Sequence, residues 1–250
     1  MGSTVCQAVT DDPELELVAA VDPFHAGLEL SRVAGVSGVD LQVSGDREQF
    51  LDAGVEVAVD FTEAGAARQH LLWLADRGIH AVVGTTGFSE NDVAGFERAF
   101  KKSNCLIAPN FAIGAVLMMR LAALAAPYFE TAEIIELHHD NKVDAPSGTA
   151  SLTAERLAEA KREWAADPTT STVLDGARGG EGPAGIRIHS IRMRGMVAHQ
   201  EVLLGTTGQT LTIRHDSIDR TSFMPGVLLG IKKVADHPGV TVGLDQLLGL

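Results

Sequence analysis

Cysteine is nearly absent from the 250-residue chain: only Cys6 and Cys105 occur, far apart and in no motif spacing. That excludes a disulfide framework and leaves both as reduced, packed thiols, which suits the cytoplasm. Metal-ligand spacing is missing too. There is no His-x-x-x-His or Cys-x-x-Cys, and the adjacent His138 and His139 point to opposite sides of an extended chain, so no metal is expected. Basic residues are scarce, with 20 Lys and Arg against 33 Asp and Glu and a net charge of −13. This argues against nucleic acid or an anionic membrane as a partner, and an anionic substrate must find local positive charge. No basic segment followed by an apolar run opens the sequence, so no secretory signal is expected. The most apolar stretch, 112–129, is interrupted by Arg120 and ended by Pro127, and reads as a buried helix rather than a membrane span. Internal repeats and low-complexity runs are absent.

Hydrophobic residues make up 45% of the chain, ordinary for a globular protein that holds one large or two modest domains. Residues 3–10 read as a helix, and 15–22 (LELVAAVD) as a buried strand ending at Asp22. From 55 to 111 the rhythm is β-α-β: VEVAVDF, a helix over 66–76, HAVVGTTG, a helix over 90–102, then CLIAPNF. The turn at Gly84, Thr85, Thr86 and Gly87 and the segment Ala108, Pro109, Asn110 and Phe111 both fall at carboxyl ends of strands, where open parallel sheets bind ligands. Either alone is an ordinary turn. Their repetition favours a nucleotide site. Asp22 is an acceptor for ribose hydroxyls or, equally, a turn former before Pro23.

Past Phe111 the character changes. A strand over 133–137 leads to His138 and His139, then Lys142, then the loop DAPSGT, then a helical pattern, SLTAERLAEAKR. Pro146 keeps its predecessor out of helical geometry, Gly148 admits close backbone approach, and Ser147 or Thr149 can cap the helix. Such a helix start points free N–H groups at an anion. Each of these residues alone is as readily solvated surface or a simple cap, but together they converge on a site for an acidic substrate. A glycine-rich passage, DGARGGEGPAGI, reads as a mobile loop. Three strands follow, over 186–193, 198–204 and 209–215, the last two joined by a Gly-Thr-Thr-Gly turn, which implies a sheet with helices on one face. Arg192, Arg194 and Arg214 lie on or beside these strands, able to bind anionic groups or simply solvated. The last helix and apolar tail are expected to return to the first domain. The boundary is set near Phe111 with a return near Ser217: residues 1–111 and 217–250 form an α/β, Rossmann-like dinucleotide-binding domain, and 112–216 a smaller α+β substrate and oligomerisation domain with an open mixed sheet.

With ELHHDNKVDAPSGTA, VVGTTG, IAPNFAIGA, AHQEV and IRHDS in this order, the chain resembles the dihydrodipicolinate reductase family, also called 4-hydroxy-tetrahydrodipicolinate reductase, of bacterial diaminopimelate and lysine biosynthesis. The likeness spans essentially all 250 residues. It implies NAD(P)H-dependent reduction of 4-hydroxy-tetrahydrodipicolinate, a small dicarboxylate, with loss of water. It assigns His138 as general acid/base, Lys142 as proton donor, and His139 with Gly148 and Thr149 as the hold on the carboxylates. Gly84, Thr85 and Thr86 would line the nicotinamide side, Ala108, Pro109, Asn110 and Phe111 would complete the cofactor pocket, and Asp22 would take the adenosine ribose. The resemblance also implies a homotetramer built through the second domain's sheet. Asp22 favours NADH, with NADPH tolerated. One departure stands out: the family opens with a strand and a Gly-x-x-Gly-x-x-Gly turn, whereas this chain begins at Met1-Gly2, with Gly2 matching the third glycine. A sheet without that middle strand would leave two neighbours unpaired, and a longer natural protein with an upstream start is expected. The alternatives are a catalytically impaired scaffold homologue or another nicotinamide-dependent dehydrogenase.

Overall fold

The computed structural model describes residues 1–249. In chain order it forms α1 (Gly2–Asp11), α2 (Leu30–Ala34), α3 (Gln49–Asp52), β1 (Val57–Asp60), α4 (Ala64–Arg77), β2 (His80–Val83), α5 (Glu90–Ala99) and β3 (Cys105–Ile107). Then come α6 (Ile113–Ala125), β4 (Thr131–His138), α7 (Gly148–Ala160), β5 (Gly180–Glu181), β6 (Arg187–Arg192), β7 (Ala198–Thr206) and β8 (Gln209–Ser217). The chain closes with α8 (Met224–Lys233), β9 (Val240–Val242) and α9 (Asp245–Leu248). Met1–Phe111 and the chain from Phe223 onward make one compact unit, and Ala112–Ser222 the other.

In the first unit, β1, β2, β3 and β9 pair in that order, all parallel. The strands are short apolar runs because helices cover the sheet: Ala81, Val82, Val83, Cys105 and Leu106 have no exposed surface. Local chemistry sets the helix ends. The Glu63 carboxylate accepts from the Gly65 and Ala66 N–H groups at the start of α4, and Gly78, at φ +72°, ends it. Ser89 and Asp92 form a reciprocal capping box on α5. The apolar tail folds back through β9, whose run continues into Gly243 N–H donating to the Ile107 carbonyl. On α8, a Cβ at Gly226 would lie 2.1 Å from the Phe111 carbonyl oxygen, so that helix reaches the end of β3 only as glycine.

The strand expected over 15–22 does not form. Val21 makes an isolated bridge to Ser44, flanked by Ser44 N–H donating to Ala20 and Asp22 N–H donating to Ser44. Extended backbone becomes a strand only with a ladder partner. Among the described residues no backbone hydrogen bond joins 16–19 to another segment, and nothing pairs with the free edge of β1. A trough of about 1440 Å³ is lined by residues 15–21, by 55–59 and by Val5 and Val9 of α1.

In the second unit the sheet order is β5-β6-β4-β7-β8; β4 and β6 are parallel and the other pairs antiparallel. Alternation sorts its faces. Ala132, Ile134 and Glu136 of β4 lie buried with Ile188, Gln200, Val202 and Leu204, against α6 and α7. Ile135, Leu137, His189, Ile191 and Leu203 fall on the opposite face, which is only half-covered. Two expectations need correcting here. The helix α6 is buried on one face alone, through Ala115, Val116, Met118, Met119 and Ala122, while Leu121 and Leu124 are 49% and 70% exposed. The glycine-rich passage is not a free loop: Gly180–Glu181 pairs with β6, and Arg178 donates to both Glu133 oxygens and to Asp167. Gly179, at φ +68°, sits where a Cβ would meet the Ile188 carbonyl at 2.6 Å.

Candidate active site

The residues singled out in the second unit gather around a side chain that the sequence reading passed over. Glu136 is fully buried on the inner face of β4, two residues before His138. Its Oε2 accepts from His138 Nδ1 at 2.5 Å and from Arg192 at 2.9 Å, and its Oε1 accepts from Arg192 at 2.8 Å and from the Ser147 N–H at 3.2 Å. Arg192 also donates to the Asp144 carbonyl at 2.6 Å. One carboxylate thus ties the ends of β4 and β6 to the loop 144–147 and to the start of α7. There was a signal for it in the sequence. In the alternation Ala132–Ile134–Glu136 the charge falls on the buried parity, where a carboxylate survives only with partners.

Lys142, half-buried, donates to both Asp144 oxygens at 2.7 Å. Ser147 rather than Thr149 caps α7, its hydroxyl accepting from Ala150 N–H. Thr149 lies in the first turn, its carbonyl receiving the Thr153 hydroxyl at 2.7 Å, and Thr153 in turn takes the Gln200 amide. Gly148 and His139 are exposed, and a Cβ at Gly148 would meet nothing within 4 Å. Of the arginines, only Arg192 joins this cluster. Arg194 is a surface partner of Asp140, and Arg214 is taken by Glu201 and Asp216.

Burial pushes the Glu136 carboxyl up, but hydrogen bonds from His138, Arg192 and Ser190 outweigh it and hold the group at about 2 instead of the ordinary 4.5. A carboxylate lowered on folding contributes stability that is complete above about pH 4.5 and is lost as pH falls toward 2. Urea unfolding measured across that window is expected to show this loss in the native chain. Glu136→Gln is expected to be less stable at neutral pH and to show a smaller acid dependence between those limits.

In the first unit, the loops after β1, β2 and β3 are stitched together. Asp60, buried at the end of β1, accepts from the Thr62 N–H and hydroxyl at 2.8 and 2.7 Å, from the Thr85 hydroxyl at 3.3 Å, and pairs with His70 at 2.7 Å. Thr85 is buried and also donates to the Thr62 carbonyl, while Thr86 is exposed. A Cβ at Gly84 would lie 2.0 Å from the Phe61 ring, and that ring packs 5.7 Å from Phe111. Ala108 and Phe111 are buried, Pro109 is exposed and Asn110 half-buried. Sequence reasoning missed Asp60 and Phe61, which look like an ordinary strand end. Asp22 follows the Val21 bridge rather than a strand; its oxygens accept from Phe24 N–H at 2.8 Å and pair with His25 at 2.9 Å. Gly2 begins α1 and is exposed. Among the described residues no cluster of metal-ligating side chains is gathered, and no helix is long and apolar enough to cross a membrane.

Comparison with known proteins identifies the family. Residues 1–111 match the profile described as dihydrodipicolinate reductase, N-terminus, and residues 114–248 the one described as its C-terminus. The chain belongs to the dihydrodipicolinate reductase family. It is 51% identical over 256 aligned positions to the 4-hydroxy-tetrahydrodipicolinate reductase of Nocardia farcinica, covering 100% of this chain and 95% of the relative. The reductase of Cutibacterium acnes is 49% identical at the same coverage. The dipicolinate-bound dihydrodipicolinate reductase from Paenisporosarcina sp. TG-14 superposes with a TM-score of 0.86 at 38% identity, over 98% of this chain and 94% of that one. An amine dehydrogenase from Mycobacterium smegmatis, at 15% identity and TM-score 0.63, shares the fold alone. This family member is accordingly an NAD(P)H-dependent oxidoreductase that reduces 4-hydroxy-tetrahydrodipicolinate to tetrahydrodipicolinate with loss of water. The first unit's residues fit a nicotinamide dinucleotide in shape: Gly84 leaves the strand end flat against Phe61, where a side chain would fill the space.

Proposed function

We propose that the loop from His138 to Thr149 is where this reductase holds and protonates its substrate. In this reading His138 is the general acid/base, Lys142 supplies a proton, and His139 with Gly148 and Thr149 at the start of α7, the Thr149 hydroxyl included, holds the carboxylates. Asp22, Gly84, Thr85, Thr86, Ala108, Pro109, Asn110 and Phe111 hold the cofactor, with Gly2 at the head of α1 beside its phosphates. When bound, the reduced nicotinamide supplies a hydride. The protein's own residues do the rest. Hydride arrival at a conjugated imine-type ring leaves negative charge, which a cation or acid within hydrogen-bonding reach neutralises. Lys142 is such a cation, while the N–H groups at the head of α7 orient the substrate through its carboxylates.

The observation that carries this reading is the anchoring of the loop by buried Glu136, which joins His138, Arg192 and the α7 start. The dicarboxylate substrate class draws support from the dipicolinate-bound state of the Paenisporosarcina relative. Titration with dipicolinate tests it. His139→Ala and Thr149→Val are expected to weaken dipicolinate binding by about 10-fold each, as lost charge-assisted hydrogen bonds would, with NADH binding unchanged. Equal dipicolinate affinity in both variants would move the carboxylate site elsewhere.

Further parts of the reading are a preference for NADH with NADPH accepted, a cytoplasmic location, and a homotetramer. The half-covered outer face of the second sheet, with Ile135, Leu137, Ile191 and Leu203, supports assembly through that face.

A further inference from the structure

We propose that Glu136 is a positioning residue that fixes the proton of His138 on Nδ1, so that all proton exchange with the substrate passes through Nε2. The inference rests on His138 meeting the substrate. Its basis is the directionality of the hydrogen bonds around one carboxylate. Glu136 receives two contacts from Arg192, one from the Ser147 N–H, one from the Ser190 hydroxyl and one from His138; the guanidinium and the amide N–H can only donate, and the hydroxyl turns its proton to the carboxylate. Surrounded in this way, the group stays ionised, in keeping with its lowered pKa. An ionised carboxylate only accepts, so Nδ1 must carry hydrogen whether the ring is neutral or charged. The neutral imidazole therefore has a bare Nε2, and the cation releases its proton from Nε2.

Arg192 makes the arrangement obligatory rather than optional. It covers both Glu136 oxygens and holds the Asp144 carbonyl, so the carboxylate cannot turn away from His138 without giving up the loop. The same oxygen that receives Ser147 N–H ties in the head of α7. Glu136 thus sets the His138 tautomer and the register of the carboxylate-binding loop together. An amide cannot substitute for it: Arg192 donates to both oxygens, so either orientation of a glutamine sets its NH2 against a guanidinium donor.

The first measurement is nitrogen-15 NMR of the histidine rings in the native chain, with His138 assigned by its loss in His138→Gln. The neutral ring is expected as the Nδ1–H tautomer; an Nε2–H tautomer would overturn the proposal. The second is kinetic. Glu136→Gln is expected to lower kcat by about 100-fold and to raise KM for the dicarboxylate while KM for NADH stays put, with Glu136→Asp recovering part of kcat. Parental kcat in a folded Glu136→Gln protein would overturn it. Should that variant fail to fold, the tautomer of the native chain still decides. Full kcat in His138→Gln would instead sink the underlying site assignment, whatever the tautomer.

Discussion

Replacing Lys142 with alanine is expected to lower kcat by about 10²- to 10⁴-fold, the usual range for losing a positioned acid, with NADH affinity unchanged. The side chain is only 20% exposed, and its ammonium lies 2.7 Å from the Asp144 carboxylate within the loop between β4 and α7. Asp144 holds it in place, and Lys142 in turn keeps the Asp144 carboxyl below its ordinary range. On the proposed reading the alanine variant removes the proton donor and strips Asp144 of its counter-charge, so KM for the dicarboxylate should rise as well. Lys142→Arg tests charge against proton donation. A guanidinium neutralises Asp144 but does not give up a proton at working pH, so substrate KM should recover and kcat should not. Steady-state kinetics with each substrate varied separates the two. A kcat near the parent's in Lys142→Ala would remove the residue from the chemistry.

The second large effect is expected at Gly84. An added Cβ would lie 2.0, 2.4 and 2.6 Å from three atoms of the Phe61 ring, far inside contact distance. The ring must move, and it packs at a tilt against Phe111 beyond the end of β3, so the loops after β1, β2 and β3 should shift together. Gly84→Ala should cost about 1–3 kcal/mol of stability, as overpacking does. It should also raise KM for NADH at least about 10-fold, since 1.4 kcal/mol of lost binding is a decade. Gly148→Ala is the contrast. Nothing within 4 Å would meet its Cβ, so the fold should be untouched and any loss should appear in dicarboxylate binding. Thermal midpoints together with separate KM values for cofactor and substrate check both.

The sequence carried most of the architecture because its signals were local. Apolar runs such as HAVV and CLI, alternating with helical patterns, gave the β-α-β rhythm, alternation gave β4, and the Gly-Thr-Thr-Gly turn gave the β7–β8 hairpin. The failures were of partnership. Residues 15–22 have a strand's composition but no ladder neighbour, a fact of tertiary structure that composition cannot express. Glycine content read as mobility over 175–186, yet Arg178 reaches 45 residues back to Glu133 to hold that segment, and no window of sequence contains both. At the site, the residue types of the loop were legible, while the organising group was not. Glu136 looks like one more charged residue in an alternating strand until Arg192, 56 residues later, lands beside it. Asp60 likewise gains its meaning only when Thr85 and His70 close on it.

The central claim, that this 250-residue chain reduces the cyclic dicarboxylate with a nicotinamide cofactor, is tested most directly by following NADH absorbance after freshly generated 4-hydroxy-tetrahydrodipicolinate is added. Native chain and His138→Gln are run side by side. The account expects steady loss of NADH with tetrahydrodipicolinate as product, faster with NADH than with NADPH and nearly abolished in the variant. No NADH consumption by a folded, cofactor-saturated native chain would contradict it.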